Sequence, residues 1–441
     1  MTFSGKKEAF FLFFGDLLVF LASLWLTLFF RYQEIPGKEE FVNHLKPFSI
    51  LFAVWFLVFF IAGLYEKHTL IFQSKLPNTL LHTQLANIVI AITFFYFIPF
   101  FGITPKTNLF IYLAISFILI LFWRVKGQKF FYTSKRQNAM LVGHGEEMKE
   151  LKEEVNNNER YGIKFISSVD LEEIDGLDFK EEVLKTVYSE EVSVIAIDLR
   201  SEKVESVLSN FYNLIFSKVK FVDMHKVYED IFDRVPMSVL KYNWFLENIS
   251  TVHNPTFDFV KRVTDIFAAL VLGLVSFVFY PIVFLAVKLD DGGPVFFAQN
   301  RVGQNNKIFK ILKFRSMTVD EPKKITKVGS FLRRTRIDEL PQLWSVLKGD
   351  LSLIGPRPEI PEIAELYEKK VPYYNVRHLI KPGLSGWAQL YHQNPPKFNA
   401  DFDETKTKLS YDLYYIKNRS LMLDLKIALK TLKALFMTSG I

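Results

Sequence analysis

The chain contains no cysteine. Disulfides and thiolate metal sites are therefore excluded. Histidine is scarce, with eight in 441 residues and none spaced to place two on one helix face. A zinc centre is not expected from such a set. Charge is also missing from several long stretches, and what fills them is apolar. Half of all residues are hydrophobic and phenylalanine occurs 46 times. That is too apolar for an ordinary soluble protein and points to membrane spans. The length allows two to four domains.

The net charge of +7 hides an asymmetry. Residues 1–133 carry 11 Lys+Arg against 6 Asp+Glu, residues 134–254 carry 15 against 23, and residues 255–441 carry 28 against 18. The last block is where anionic partners are expected. It begins with an apolar segment, so anionic lipid headgroups suit it better than nucleic acid, which is not expected as a partner.

Four apolar runs come first: residues 10–30, 48–64, 80–101 and 109–125. Each spans or nearly spans a bilayer, which takes about 20 residues. The first is too long for a signal-peptide core and lacks a clear small-residue cleavage site, so it is expected to be retained. Lys6 and Lys7 precede the first run, Lys67 and Lys75 lie between the second and third, and Arg124, Lys126, Lys129, Lys135 and Arg136 follow the fourth. The positive-inside rule then places both ends of this unit in the cytoplasm. Asp16 lies within the first run. An intramembrane carboxylate is either a functional group or a polar contact that fixes helix packing.

An acidic α/β segment follows, about residues 137–246. Asn138–Val142 reads as a strand ending in Gly143-His144-Gly145, a helical run continues to Val155, and Val192–Leu199 reads as a further strand. The alternation predicts a small doubly wound, Rossmann-like module. Its glycines do not complete a dinucleotide fingerprint, because Met148 stands at the third position. The expected division is a four-helix transmembrane domain over 1–133, the α/β module with its linker over 134–254, and a C-terminal α/β domain over 255–441.

That last domain opens with Lys261-Arg262 and an apolar stretch, Val263–Val287, closed by Lys288. A fifth span would carry the basic block across the membrane. Pro281 interrupts the stretch, and a proline inside a helix removes an N–H and clashes with the preceding turn. The reading is therefore a re-entrant helix–break–helix over 262–288 with its break at Pro281. Leu421–Phe436 sets Leu423, Ile427, Leu432, Leu435 and Phe436 against Lys426, Lys430 and Lys433. This predicts either an interfacial amphipathic helix or a packed core helix.

The chemistry concentrates in Arg333-Arg334-Thr335-Arg336-Ile337-Asp338-Glu339-Leu340-Pro341, followed by Gly355-Pro356-Arg357-Pro358. Alone, an Asp-Glu pair reads as helix capping on a solvated face. Among so many cations it suits work on phosphate, because an anionic nucleophile and an anionic substrate repel unless charge is neutralised as it develops. Neighbours on a helix point about 100° apart, so the two carboxylates take different jobs. One would face phosphorus, and the other would hold a metal or position the first. Pro341 suits a first helical turn, which would set the pair near a helix N-terminus. Arg357 is a planar fork held in a rigid two-proline turn. Lys313 and Arg315 flank Phe314, so a strand would turn both cations to one side. Arg334 and Arg336 read as solvated or headgroup-facing. In Lys381-Pro382-Gly383-Leu384-Ser385-Gly386-Trp387 the glycines suit a nucleotide-approaching loop, and the Trp suits either that loop or the core.

From about Lys261 to the C-terminus these blocks, together with Gly293-Pro294-Val295-Phe296-Phe297-Ala298-Gln299-Asn300-Arg301-Val302-Gly303 and Phe309-Lys310-Ile311-Leu312-Lys313-Phe314-Arg315-Ser316-Met317, resemble the bacterial sugar transferases, the monotopic phosphoglycosyl transferases. Large members carry an α/β module ahead of this core. The family usually has Ser before the proline of the re-entrant break, where this chain has Tyr280. The resemblance implies transfer of a sugar-1-phosphate from a nucleoside diphosphate sugar, such as a UDP-hexose, to polyprenyl (undecaprenyl) phosphate. It implies Asp338 as nucleophile, Glu339 with Asp338 at a Mg²⁺ ion, and Arg333, Arg357, Lys313 and Arg315 on substrate phosphate or nucleotide. It also implies a multi-pass protein of the bacterial inner membrane in contact with lipid, its catalytic domain cytoplasmic, acting in exopolysaccharide, capsule or O-antigen synthesis, with a homo-oligomer compatible. The alternatives are a nucleotide-sugar glycosyltransferase that releases nucleoside diphosphate and a non-enzymatic membrane scaffold.

Overall fold

Residues 6–65, 76–98, 106–127, 136–158, 161–170, 172, 179–201, 204, 219–249, 254–319, 323–391 and 401–436 are described by the computed structural model of this chain. They form two compact units, Met1–Ile231 and Phe232–Ile441.

In the first unit the apolar runs become four helices: α1 (Lys6–Tyr32), α2 (Lys38–Ile61), α3 (Leu76–Phe97) and α4 (Lys106–Phe122). All four are long and apolar enough to cross a membrane. At 1.5 Å per residue, the 27 residues of α1 reach about 40 Å. Phe20, Phe48, Phe52, Trp55, Phe59 and Tyr112 fill the space between helices with stacked and edge-on rings. Apolar side chains such as Phe10, Val89, Phe110 and Ile118 face outward, as a lipid-facing surface requires. Asp16 is fully buried and pairs with Arg124. Arg124 Nε donates to Asp16 Oδ1 at 3.2 Å and its Nη1 to the carbonyl of Leu64 at 2.6 Å, while Tyr65 Oη donates to Asp16 Oδ2 at 2.7 Å. Of the two readings of Asp16, this geometry is the packing contact: a charge taken out of water is matched by a charge. Lys67, Lys75, Lys129 and Lys135 lie outside the described residues.

The α/β segment forms a parallel sheet of β1 (Gln137–Gly143), β2 (Ile163–Asp170), β3 (Val194–Ile197) and β4 (Lys220–Asp223), in the order β2-β1-β3-β4. Helix α5 (Gly145–Asn157) leaves β1, α6 (Phe179–Ser189) precedes β3, and α7 (Met224–Phe232) follows β4. Strand β3 is buried along its whole length, which explains its unbroken apolar sequence.

The second unit begins earlier than the composition suggested. Val235, Val239, Leu240 and Trp244, with helix α8 (Tyr242–Asn248), pack into one core with Tyr367, Tyr374, Leu409, Leu413 and Ile427. Residues 232–249 thus belong with the C-terminal fold and not with the α/β module. An acidic composition marks solvent-facing residues and says little about which core a short segment joins.

Helix α9 (Pro255–Ser276) starts with Asn254 as a cap accepting from Phe257 N, and with Pro255 in its first turn. It meets α10 (Phe279–Asp291) at a bend of 55°. Pro281 is the third residue of α10, just past the break. The carbonyl of Phe277, which a residue other than proline would cap from position 281, instead accepts Tyr280 N at 3.3 Å. The ring of Tyr280 packs edge-on against Phe314 at 4.9 Å, so the tyrosine ties the bend to the end of the following strand pair.

The rest is an antiparallel hairpin, β5 (Phe296–Val302) with β6 (Ile308–Phe314), and a short parallel pair, β7 (Ser352–Ile354) with β8 (Gly383–Ser385). Around them lie α11 (Lys327–Thr335), a 3₁₀ turn (Ile337–Gln342), α12 (Leu343–Lys348), α13 (Pro361–Lys370), a second 3₁₀ turn (Tyr374–Leu379), α14 (Trp387–Tyr391), α15 (Phe402–Lys417) and α16 (Leu421–Phe436). Trp387 is a core residue: it is buried and its indole N–H donates to the carbonyl of Asp233 at 2.8 Å. Helix α16 packs into the core on one side and exposes apolar side chains on another. Ile427 is fully buried, while Leu421, Met422, Leu425 and Leu432 are exposed.

In the second 3₁₀ turn, Arg377 is buried and donates to Asp412 at 2.8 Å, to Tyr374 Oη at 2.7 Å and to the carbonyl of Arg357 at 2.9 Å. Removing one partner of a buried pair leaves a bare charge, at a cost of about 3–5 kcal/mol. Asp412→Ala should therefore lower the thermal midpoint of the purified chain markedly in scanning fluorimetry. An unchanged midpoint would show that the pair carries no such load.

Candidate active site

The carboxylate pair stands on the 3₁₀ turn Ile337–Gln342, introduced by Arg336 in the left-handed region at φ 54°. Pro341 sits inside this turn, ahead of α12, and not at a helix start. The tight turn sends the two side chains into different surroundings. Glu339 Oε1 accepts Lys313 Nζ at 3.0 Å and Arg357 Nη2 at 2.9 Å, and Arg336 Nη1 lies 3.6 Å from Oε2. Burial alone would disfavour a charged Glu339, but Arg357 and Lys313 outweigh it and hold the carboxyl well below the usual carboxylate range. Asp338 is buried as well, and among the described residues it accepts no hydrogen bond and forms no ion pair. Burial, then the ionised Glu339 beside it, pushes its pKa up to about 6, against the pull of Lys313, Arg333 and Arg357.

The cations reach this point from separate elements. Lys313 is the sixth residue of β6, paired across the hairpin with Phe297. Arg333 lies in the last turn of α11, and its Nε donates to Ser316 Oγ at 2.8 Å. Arg357 projects from the two-proline turn, whose backbone is tied on both sides. Gly355 N donates to the carbonyl of Ser385, Gly383 N to that of Pro356, and Arg301 Nη1 to that of Pro358. The two chains approach so closely that a Cβ on Gly383 would lie 2.1 Å from Gly355 N. The glycines in the Lys381–Trp387 segment thus serve backbone contact, and Gly383–Ser385 is the strand that anchors the Arg357 turn.

Arg315 behaves differently from Lys313. It follows the end of β6, and its guanidinium is taken by Asp291, by the carbonyl of Pro294 at 2.5 Å and by that of Met317 at 2.8 Å. It ties the end of α10 to the hairpin, and the Arg315 contact lowers the pKa of Asp291 to about 2. Lys313, Arg315, Arg333, Asp338, Glu339 and Arg357 all line one cavity of about 990 Å³. Pro281 is not among its lining residues. Arg334 and Arg336, read from sequence as solvated, line it too, as do Gln299 and Arg301, which had no assigned role. The signal for the last two was their alternation with Phe297, which sets all three on one face of β5. The cavity has the size of a small-molecule site, and its cations suit a substrate bearing two phosphates.

The stretch that lines this cavity also falls within a region similar to known proteins. Residues 256–438 match the family described as bacterial sugar transferase. A UDP-N-acetylgalactosamine-undecaprenyl-phosphate N-acetylgalactosaminephosphotransferase from Aeromonas hydrophila is 42% identical over 205 residues, 43% of this chain and 47% of that protein. The UDP-glucose:undecaprenyl-phosphate glucose-1-phosphate transferase of Escherichia coli (strain K12) is 42% identical over 185 residues, 39% of each chain. For these two, the match spans less than half of the relative's length. The exopolysaccharide production protein PSS of Rhizobium leguminosarum bv. phaseoli is shorter: it is 40% identical over 187 residues, 39% of this chain but 92% of that protein. The shared region is the unit that carries Asp338 and Glu339, and the chain belongs to the bacterial sugar transferase family.

Proposed function

We propose that the protein is a membrane-bound phosphoglycosyl transferase that moves a sugar-1-phosphate from a nucleoside diphosphate sugar to undecaprenyl phosphate. The observation that carries this reading is the contrast between the two adjacent carboxylates. Glu339 is paired through Oε1 with Lys313 and Arg357, whereas Asp338 is buried, has no hydrogen bond or ion pair among the described residues, and lines the same cationic cavity. A carboxylate freed of partners is a better nucleophile toward phosphorus than one locked in ion pairs.

In the proposed reaction Asp338 attacks the β-phosphorus of the donor. The bond to the bridging oxygen breaks, and nucleoside monophosphate leaves with that oxygen, as UMP from a UDP-sugar. A phospho-sugar is then carried as an acyl phosphate on Asp338. The phosphate oxygen of undecaprenyl phosphate attacks the same phosphorus, releases the carboxylate and takes the sugar as a diphosphate-linked lipid. Arg333 and Arg357 meet the donor's phosphate charge as it shifts. Lys313 keeps Glu339 ionised and in place. The donor set suits Mg²⁺, which is typically held by one or two carboxylates and completed by substrate phosphates: Glu339 through Oε2, which accepts no hydrogen bond among the described residues, and Asp338 would hold it, and it would offset phosphate charge. Lipid synthesis for exopolysaccharide, capsule or O-antigen is the setting, on the cytoplasmic face of the bacterial inner membrane, where α9 and α10 dip into one leaflet and return.

Three outcomes test this reading. Asp338→Asn should abolish transfer while the protein still folds, and donor alone should add the mass of one sugar phosphate to wild type but not to the mutant; near wild-type turnover in Asp338→Asn would sink the assignment. The pH profile gives a second check. The nucleophile must be deprotonated, so kcat/KM should fall about tenfold per unit as pH drops below about 6. An acid limb at the ordinary carboxylate value of about 4 would mean that the surrounding cations, bound Mg²⁺ included, outweigh burial at the reacting group. The third concerns topology. Cysteines placed singly at Thr256 and Lys307, in a chain without native cysteine, should both resist an impermeant thiol reagent in intact cells and both react after permeabilisation. Labelling at one position only in intact cells would show that α9 and α10 span the membrane.

A further inference from the structure

A second cavity, of about 470 Å³, lies under the first turns of α9 and shares no lining residue with the active-site cavity. Four cations line it: Lys261, Arg262, Lys381 and Arg419. Two of them are matched by carboxylates, Lys261 by Asp424 at 2.7 Å and Arg419 by Asp258 at 3.1 Å. Asp265 is occupied by Ser352 Oγ and Leu353 N. Among the described residues, the other two cations have no carboxylate in contact. Arg262 donates to the carbonyls of Val346 and Leu347 at the end of α12, which fixes its guanidinium and sets only partial charges against it. Lys381 forms no hydrogen bond or ion pair among the described residues. Both approach the same point: a Cβ on Gly349, which has φ +97°, would lie 3.3 Å from Arg262 Nη2 and 3.6 Å from Lys381 Nζ. Two like charges held this close repel. Burial and then Arg262 lower the pKa of Lys381, against the pull of Asp265, Asp350 and Asp258.

We propose that this cavity is a second phosphate-binding site, in which Arg262 and Lys381 grip the phosphate of an anionic lipid headgroup. The planar fork of Arg262 and the ammonium of Lys381 suit phosphate oxygens. An anion between them removes their repulsion. The position favours a lipid source, because Phe259, Val263 and Phe267 on the same stretch of α9 are exposed and apolar. The choice of lipid rests on the proposed embedding of α9; the phosphate site itself rests on the two cations alone.

The test uses the full chain carrying Gln304→Cys, a residue of the cavity wall, in nanodiscs of phosphatidylcholine with or without phosphatidylglycerol. Phosphatidylglycerol should slow alkylation of this cysteine by a soluble reagent about tenfold. Adding Lys381→Gln should restore fast labelling, and Lys381→Arg should keep the protection. Inorganic phosphate added to phosphatidylcholine discs separates the sources. Protection by phosphate and not by phosphatidylglycerol would overturn the lipid assignment and keep the phosphate site. Equal labelling in every condition would overturn the site. Native mass spectrometry of the chain without the reporter gives an independent reading: Lys381→Gln should lose one retained phosphatidylglycerol, and equal retention by mutant and wild type would also overturn the site. Sugar-phosphate turnover by Lys381→Gln in phosphatidylcholine discs should match wild type, which separates a failure of this site from a failure of the proposed activity.

Discussion

The C-terminal unit is organised around one ion cluster, in which Glu339 takes Lys313 and Arg357 on a single oxygen. A buried carboxylate must be paired or neutralised, since the desolvation of a lone charge outweighs most single contacts. Here the pairing joins the end of β6, the two-proline turn and the 3₁₀ turn, three pieces far apart in sequence. The cluster also sets the character of its neighbour. With Glu339 ionised and fully partnered, Asp338 feels its negative charge in addition to burial, and so it stays poised near neutrality. Adjacent residues acquire opposite electrostatic roles because the turn between them is tight.

A further set of buried charges holds this cluster in register. Arg377 holds the backbone of Arg357 from below and is itself held by Asp412, with Glu359 and Lys408 completing the network. The ionised form of Glu359 prevails over burial through Lys408 and then Arg377, and its pKa falls to about 2. Buried charge of this kind is a poor source of net stability compared with apolar packing. Its value lies in placement, because bidentate and branched contacts fix a guanidinium far more narrowly than dispersion can. The close backbone contact of Gly355 with Gly383 serves the same end.

The same rule operates in the N-terminal unit, with a different result. Asp16, Arg124 and Tyr65 bind two helices and a helix end to each other through a buried charge pair. All of its partners lie within that packing, so the carboxylate is structural. Asp338 and Asp16 are both buried acids within a membrane-associated chain. What separates them is whether the surrounding cations are spent on the carboxylate itself or on a neighbour.

Much of this was legible in the linear sequence. Apolar length marked the four helices, alternation marked the parallel sheet, and Pro281 with flanking cations marked the bend of α9 and α10. Composition fails at the 232–249 segment, because a core is joined by a few apolar side chains that an acidic average conceals. The division of labour between Asp338 and Glu339 follows from helical geometry only as a requirement that their jobs differ; which cations each one meets depends on contacts across tens of residues. Arg315 shows the limit plainly. Its spacing from Lys313 on a strand predicts a shared face, yet the strand ends one residue earlier and Asp291 captures the guanidinium. Periodicity and charge type are local properties and can be read along the chain. The pairing of buried charges is decided only when the folded elements bring partners within about 3–4 Å, where the choice between competing ion pairs is made.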